Sequence, residues 1–210
     1  GEPIADYSDF LLTTDGELVL HTPISLRWVR MLSGTEQATT LLSQRVRPHV
    51  NPHAQMLTVY YPGVGYDVRG PVLATNATRY VFVDFGKGKG IEAIAALNVN
   101  AIQSQLESLG ATAITMNIRD HSTAVFTFLL AGTERELIYY VKDGTVFLPP
   151  ELLGGYDVLY VANSPFSSLK SSEDAKQGFL QVPLSHLKPG GHVIVSNVSM
   201  SVDRPIERLK

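Results

Sequence analysis

The chain has 210 residues, of which 44% are hydrophobic and 18% charged, enough apolar material for one substantial core and far from a disordered composition. A net charge of −3 gives no general attraction to nucleic acid, and no apolar run approaches the roughly 18 residues of a membrane helix. The absence of cysteine removes disulfides, thiolate metal sites and cysteine nucleophiles together.

Gly1 stands where a start methionine would be, which reads either as removal of an export signal or as excision of a domain. Residues 1 to 23 carry a TTDGE turn between the apolar patches Phe10 to Leu12 and Leu18 to Leu20, which predicts a small hairpin or an irregular cap. From Ser25 to Val46 the apolar positions Leu26, Val29, Leu32, Ala38, Leu41 and Val46 have partly helical spacing, with a break at Ser33 and Gly34. Trp28 is expected to pack in the core. Residues 1–50 therefore read as a helical cap or extension, 51–200 as the main α/β domain and 201–210 as a polar tail. His49 and His53 have metal-like spacing, but Pro48 and Pro52 deny them one helical face, so no metal site is expected.

The organising stretch is residues 57 to 90. An apolar run, Leu57 to Tyr61, enters a turn with Gly63 and Gly65; a short stretch opened by Pro71 follows; a second apolar run, Tyr80 to Phe85, carries Asp84. Glycines at a strand-to-helix turn let the backbone approach a ligand, and an acid at the tip of the next strand can accept hydrogen bonds from ribose hydroxyls. Asp84 lies 17 residues beyond Asp67 and 19 beyond Gly65, near the separation of about 20 that nucleotide-binding βαβ units use. Together these predict a nucleoside-cofactor site on a Rossmann-like sheet. The Gly86 to Gly90 run GKGKG lacks the spacing of a phosphate loop.

Beyond that unit, Ile91 to Leu109 reads as an amphipathic helix stopped by Gly110, and Ala111 to Asn117 as the third core strand. Two β-rich runs between Ala124 and Val141 flank a turn and predict an added antiparallel hairpin. Val158 to Ala162 reads as strand four, Phe179 to Leu187 as a helix and His192 to Asn197 as strand five. The predicted fold is a three-layer α/β sandwich, with a mainly parallel sheet of order 3-2-1-4-5. Ligands then bind beyond the carboxyl ends of strands one and four, where Gly63, Gly65, Asp84, Asp120 and Asn163 should gather.

Between residues 55 and 198 the chain resembles the class I S-adenosylmethionine-dependent methyltransferases. YPGVGYD (Tyr61 to Asp67) occupies the glycine-loop position, VFVD (Val81 to Asp84) resembles the second strand with its ribose acid, YDVLYVANSPF (Tyr156 to Phe166) resembles strand four and its exit, and LKPGGHVIVSN (Leu187 to Asn197) resembles the helix, turn and strand that follow. The glycine motif departs from the family's pattern: Tyr61 replaces the usual acid and Asp67 the third small residue. The resemblance implies S-adenosylmethionine as cofactor, with Gly63, Gly65 and Asp67 in its loop, Asp84 on the ribose and Asp120 at the adenine. Asp67 reads equally as a cap for the helix that Pro71 enters, and Asp120 as part of a solvated loop. Asn163, Pro165 and Phe166 resemble the NPPF-type motif that orients a target amine, or form an ordinary strand-exit turn. The family's sheet also finishes with an antiparallel pair after strand five, for which this chain has too few residues.

The expected function is methyl transfer to a small or amine-bearing acceptor, in the cytoplasm where that cofactor is made. The alternative is a methyltransferase-like module without catalysis, serving as a binding or scaffold protein, for which an exported or envelope location stays open. A dinucleotide-dependent oxidoreductase fits less well, because YPGVGYD lacks the full GxGxxG.

Overall fold

The computed structural model describes residues 3–7, 10–13, 18–21, 26–32, 47–48, 50–51, 56–64, 68–84, 91–142, 147–161 and 182–197, with backbone alone within 3–32 and at 91–98, 161 and 195–197. Among the described residues eleven strands form one mixed sheet: β1 (Pro3–Tyr7), β2 (Phe10–Thr13), β3 (Leu18–His21), β4 (Leu26–Leu32), β5 (Thr58–Pro62), β6 (Arg79–Asp84), β7 (Thr112–Asp120), β8 (Thr123–Leu130), β9 (Thr133–Val141), β10 (Tyr156–Val161) and β11 (Leu187–Asn197). Their order is β1-β2-β3-β4-β11-β10-β5-β6-β9-β8-β7. The block from β4 to β9 is parallel throughout, and antiparallel strands extend it on both flanks.

The fold is Rossmann-like α/β. Two helices, α1 (Arg69–Thr75) and α2 (Ile91–Ser108), follow β5 and β6 in the chain. Side chains alternate across the sheet because the strand period is two. Val59, Tyr61, Tyr80, Phe82, Tyr139 and Tyr160 pack with α1 and α2 in one core. Tyr60, Val81, Val83, Tyr140 and Leu159 face the other side, against Leu152 of a 3-10 turn (Pro150–Leu152) and Leu184 of a helical turn at 182–185.

The predicted neighbours 2-1-4-5 are β6-β5-β10-β11. The place of strand three needs correction. The segment expected there, now β7, is an exposed strand at the outer end of the sheet, and β9 lies beside β6 instead. Burial decides between them. The β9 run LIYYV is buried at every position, whereas β7, TAITMNIRD, is exposed almost throughout, and a strand inside the sheet must be apolar on both faces.

Residues 26–32, expected in a helix, form β4 and pair in parallel with β11. Over only seven residues, LRWVRML, the apolar positions fit either period, and the neighbouring strand decides. The TTDGE hairpin is borne out by the pairing of β2 with β3. The flank beyond strand five, β11, is formed by β4, β3, β2 and β1. Leu187, expected to close a helix, begins β11. The LKPGG string bulges between the pairs Tyr156↔Leu187 and Val158↔His192. Gly190 takes a φ of 78° there, and a Cβ on Gly191 would meet the backbone oxygens of Lys188 and Asp157 at 2.8 and 2.9 Å. Both positions therefore need glycine.

Helix α2 matches its expected span and ends in a Schellman turn, in which Gly110 (φ 91°) donates to Glu107 O and Ala111 donates to Leu106 O. Helix α1 is different. Its sequence, RGPVLAT, has poor helix formers in Gly70 and Pro71, and its ends are satisfied from elsewhere in the chain. Gln105 Oε1 of α2 accepts hydrogen bonds from the amides of Val68 (2.8 Å) and Arg69 (3.2 Å), while Asn51 Nδ2 donates to the carbonyl of Thr75 at 3.2 Å. Burial and borrowed caps hold this helix, not propensity.

Candidate functional site

In the parallel block, β5 is followed by its neighbour β6 on one side, and β10 by β11 on the other. The carboxyl ends of β5 and β10 therefore flank the point where the winding reverses, the place where open α/β sheets form a ligand crevice. Asp84 ends β6, one strand away from it.

The strand register explains how Asp84 is held. Phe82 pairs with Tyr139 and Asp84 with Val141, so Tyr139 and Asp84 project from the same face of adjacent strands, two residues apart. The buried Tyr139 ring extends along the sheet, and its hydroxyl donates to Asp84 Oδ2 at 2.7 Å. A hydrogen bond to a carboxylate favours its charged form and fixes its direction. Asp84 itself is half-buried. Tyr139 could not be found from the sequence, because its role depends on β9 lying against β6 across 55 positions of chain.

Gly63 adopts a φ of 74°, the left-handed turn expected after β5. Its amide donates to the carbonyl of Val83 at 2.8 Å, and the amide of Val64 to the same carbonyl at 3.1 Å. Those two donors thus close the β5 and β6 ladder. Tyr61, where the family pattern has an acid, is a core residue only 3% exposed, with its ring 4.8 Å from that of Tyr160 and 5.4 Å from that of Phe82. The capping of Val68 and Arg69 by Gln105 likewise occupies the amides that a dinucleotide's pyrophosphate would need.

Asp120 lies at the same edge of the sheet but on β7, separated from β6 by β9 and β8. Three strand spacings put it about 14 Å from the β6 line. Its Oδ1 accepts from Ser122 N at 2.8 Å and Ser122 Oγ at 3.0 Å, closing the turn between β7 and β8. The Ser122 amide is the main reason its carboxyl is held below the ordinary carboxylate range. The structure therefore brings Gly63 and Asp84 to neighbouring strand ends and leaves Asp120 apart from them. Gly65, Asp67, Asn163, Pro165 and Phe166 lie outside the described residues, as do His49, His53 and the GKGKG run.

A cleft of about 480 Å³ lies at the opposite, amino edge of the sheet, between the starts of β5, β6, β9 and β10. Its charged groups largely answer one another: Arg79 pairs with Glu136 and Lys188 with Asp157, each at 3.6 Å, and Asp157 also accepts from the amide of Thr58. Size alone does not make it the ligand site, and the strand topology favours the carboxyl edge. Among the described residues no group of acids and histidines could hold a metal ion, and no helix is long and apolar enough to cross a membrane.

The strand order defines a Rossmann-like α/β protein, and the acid at the tip of β6 stands one strand from the crevice where the winding reverses. No protein-family model matches the chain, and no curated protein matches it. Among solved structures, it is similar to an S-adenosylmethionine-dependent methyltransferase from Agrobacterium tumefaciens, at 12% identity over 96% of this chain and 64% of that one, with a TM-score of 0.49. It is also similar to the S-adenosylmethionine-dependent methyltransferase SibL in its apo form (16% identity, 76% of this chain and 36% of that one, TM-score 0.41). A third similar structure is the large terminase of the thermophilic bacteriophage D6E (10% identity, 76% and 38%, TM-score 0.38). The chain spans less than two thirds of each of these proteins. Such scores carry no weight for ligand or reaction, and the fold rests on the strand order itself.

Proposed function

We propose that the chain binds S-adenosylmethionine at the carboxyl edge of its sheet and transfers the methyl group to a small or amine-bearing acceptor. The observation that carries this reading is Asp84, at the tip of the strand beside the reversal point, with its carboxylate aimed by the Tyr139 hydroxyl. A carboxylate has about four lone-pair positions, so a tyrosine donor on one oxygen is compatible with acceptance of ribose hydroxyls as well. The capped start of α1 fits a cofactor without phosphates better than a dinucleotide. When bound, the sulfonium supplies an already activated methyl group, so the chain's task is to grip the nucleoside and align the acceptor. Gly63 allows the backbone to turn beside the cofactor, with Gly65 and Asp67 continuing that loop. Asn163, Pro165 and Phe166 are assigned to the acceptor.

A second reading is a binding or scaffold module without turnover. It is favoured by the hydrogen bonds from Gly63 and Val64 to Val83, which spend on the sheet two amides that a cofactor loop would otherwise offer.

Calorimetric titration with S-adenosylmethionine, S-adenosylhomocysteine and NAD separates these readings. The first reading expects both sulfur compounds to bind and NAD not to, with Asp84→Ala weakening them at least tenfold, which is about 1.4 kcal/mol. Tyr139→Phe should weaken them less, because the carboxylate remains but loses its orientation. Binding that survives Asp84→Ala unchanged, or no binding at all, would overturn the assignment. Binding without methyl transfer to any amine tested would select the scaffold.

A further inference from the structure

Among the described residues β7 is the outermost strand of the sheet and pairs with β8 alone, and Met116 and Ile118 on it are 42% and 48% exposed. Their cross-strand partners are Phe126 and Ala124, both part of the core beneath α2. The apolar face of the sheet therefore continues past the helix that covers it and ends on an open strand edge. An edge of this kind, with unused backbone groups beside exposed apolar side chains, is a template for another strand.

The sequence of β7 indicates what that strand is. Pairing with β8 is regular only from Thr115 to Ile118, with irregularities between Thr112 and Thr115 and between Ile118 and Asp120; Ala113 has a φ of 51° at the first of them. Each irregularity adds a residue to β7 and bends it, so straight pairing is confined to a window centred near Met116. From Ile114, which stands beside the first irregularity, through that window to Ile118, the sequence Ile114, Thr115, Met116, Asn117, Ile118 reads alike in both directions: apolar at the centre and both ends, polar between. Two such strands running antiparallel about a two-fold axis at Met116 would oppose Ile114 to Ile118 of the second copy, Met116 to Met116, and Thr115 to Asn117. A shift that centres the axis on Asn117 would instead set Ile114 against Asp120. Antiparallel partners share a face, so the apolar stripes of both copies would meet on the α2 side.

We propose that β7 is a self-association edge, through which two copies of this chain form one continuous sheet about a two-fold axis at Met116. Each copy covers the other's edge, so the contact closes as a dimer and does not propagate. One short strand pair gives a contact at the low end of specific interfaces, so the dimer is reversible and depends on concentration.

Sedimentation velocity on the full chain, from dilute to concentrated solution, tests this. A monomer and dimer in exchange are expected. Met116→Lys, at a position exposed enough to leave the fold intact by circular dichroism, should raise the dissociation constant at least tenfold by placing like charges on the axis. Met116→Glu should do the same, and mixing the two variants should restore a dimer. Because the chain contains no cysteine, Met116→Cys gives a single thiol that should cross-link to its counterpart on mild oxidation. A wild-type protein that stays monomeric at every concentration overturns the proposal. So does a dimer indifferent to Met116→Lys, or a disrupted one that the opposite-charge mixture fails to restore.

Discussion

At the scale of single residues, tyrosine hydroxyls connect the buried sheet to what surrounds it. Tyr156 donates to the carbonyl of Pro183 at 2.8 Å, Tyr140 to Glu151 at 2.6 Å and Tyr139 to Asp84 at 2.7 Å. Tyr80 accepts from the amide of Ala77 at 2.8 Å. Tyr60 is the exception: its ring is fully buried, packed edge-on to Tyr156, and its hydroxyl has no hydrogen-bond partner among the described residues. A buried hydroxyl without a partner costs free energy, whereas a satisfied one contributes about 1 kcal/mol. Tyr60→Phe should therefore leave stability unchanged or raise it by up to about 1 kcal/mol, and Tyr156→Phe should lower it by about 1 kcal/mol. Urea denaturation of the two variants checks this; equal losses would show that Tyr60 finds a donor or acceptor after all. The same contrast explains what the sequence could convey about the site. Asp84 was legible because an acid at the end of an apolar strand is a local signal, while Tyr139, which aims it, was hidden in a run of apolar residues whose neighbour only the folded sheet defines.

Among the elements, α1 shows how a weak local sequence is overruled by its surroundings. Seven residues cannot sustain an isolated helix, yet α1 forms because five of them are buried and because Gln105 and Asn51 bind its ends. Gln105→Ala leaves the amides of Val68 and Arg69 without that acceptor and should cost about 1 kcal/mol, the usual magnitude of a lost helix cap. Thermal melts would measure the loss, and amide hydrogen exchange should show it concentrated at Val68 and Arg69. An unchanged melt would mean that water replaces the cap at no cost. Elements whose signals are local were readable in advance: α2 with its Gly110 stop, the hairpin around TTDGE, and the glycines of LKPGG. Those settled by pairing were not. β4 could have been helix or strand until β11 lay beside it, and β7 and β9 are similar runs whose order across the sheet depends on which one is buried on both faces.

For the whole molecule, the concentration of tyrosine in the sheet sets a limit on alkaline stability. Burial holds the hydroxyls of Tyr60, Tyr80 and Tyr156 above their ordinary pKa of 10.0. Tyr140 is raised as well, by burial first and then by the hydrogen bond and charge of Glu151. In each case the folded state keeps its proton more tightly than the unfolded chain does. The stabilisation is therefore complete below the unfolded pKa and is lost as pH climbs through and beyond it. The melting temperature should be nearly flat with respect to these groups up to about pH 10 and fall steeply above it. Absorbance of the tyrosinate form supplies the second readout. The buried set should ionise only as circular dichroism reports unfolding, because a phenolate inside either core layer has lost its solvent, and the cations nearby, Arg135 for Tyr80 and Arg119 for Tyr140, do not offset that loss. If all nine tyrosines titrated near their ordinary pKa while the fold persisted, the two tyrosine-lined layers on either side of the sheet would have to admit water, and the packing that positions Asp84 through Tyr139 would not hold.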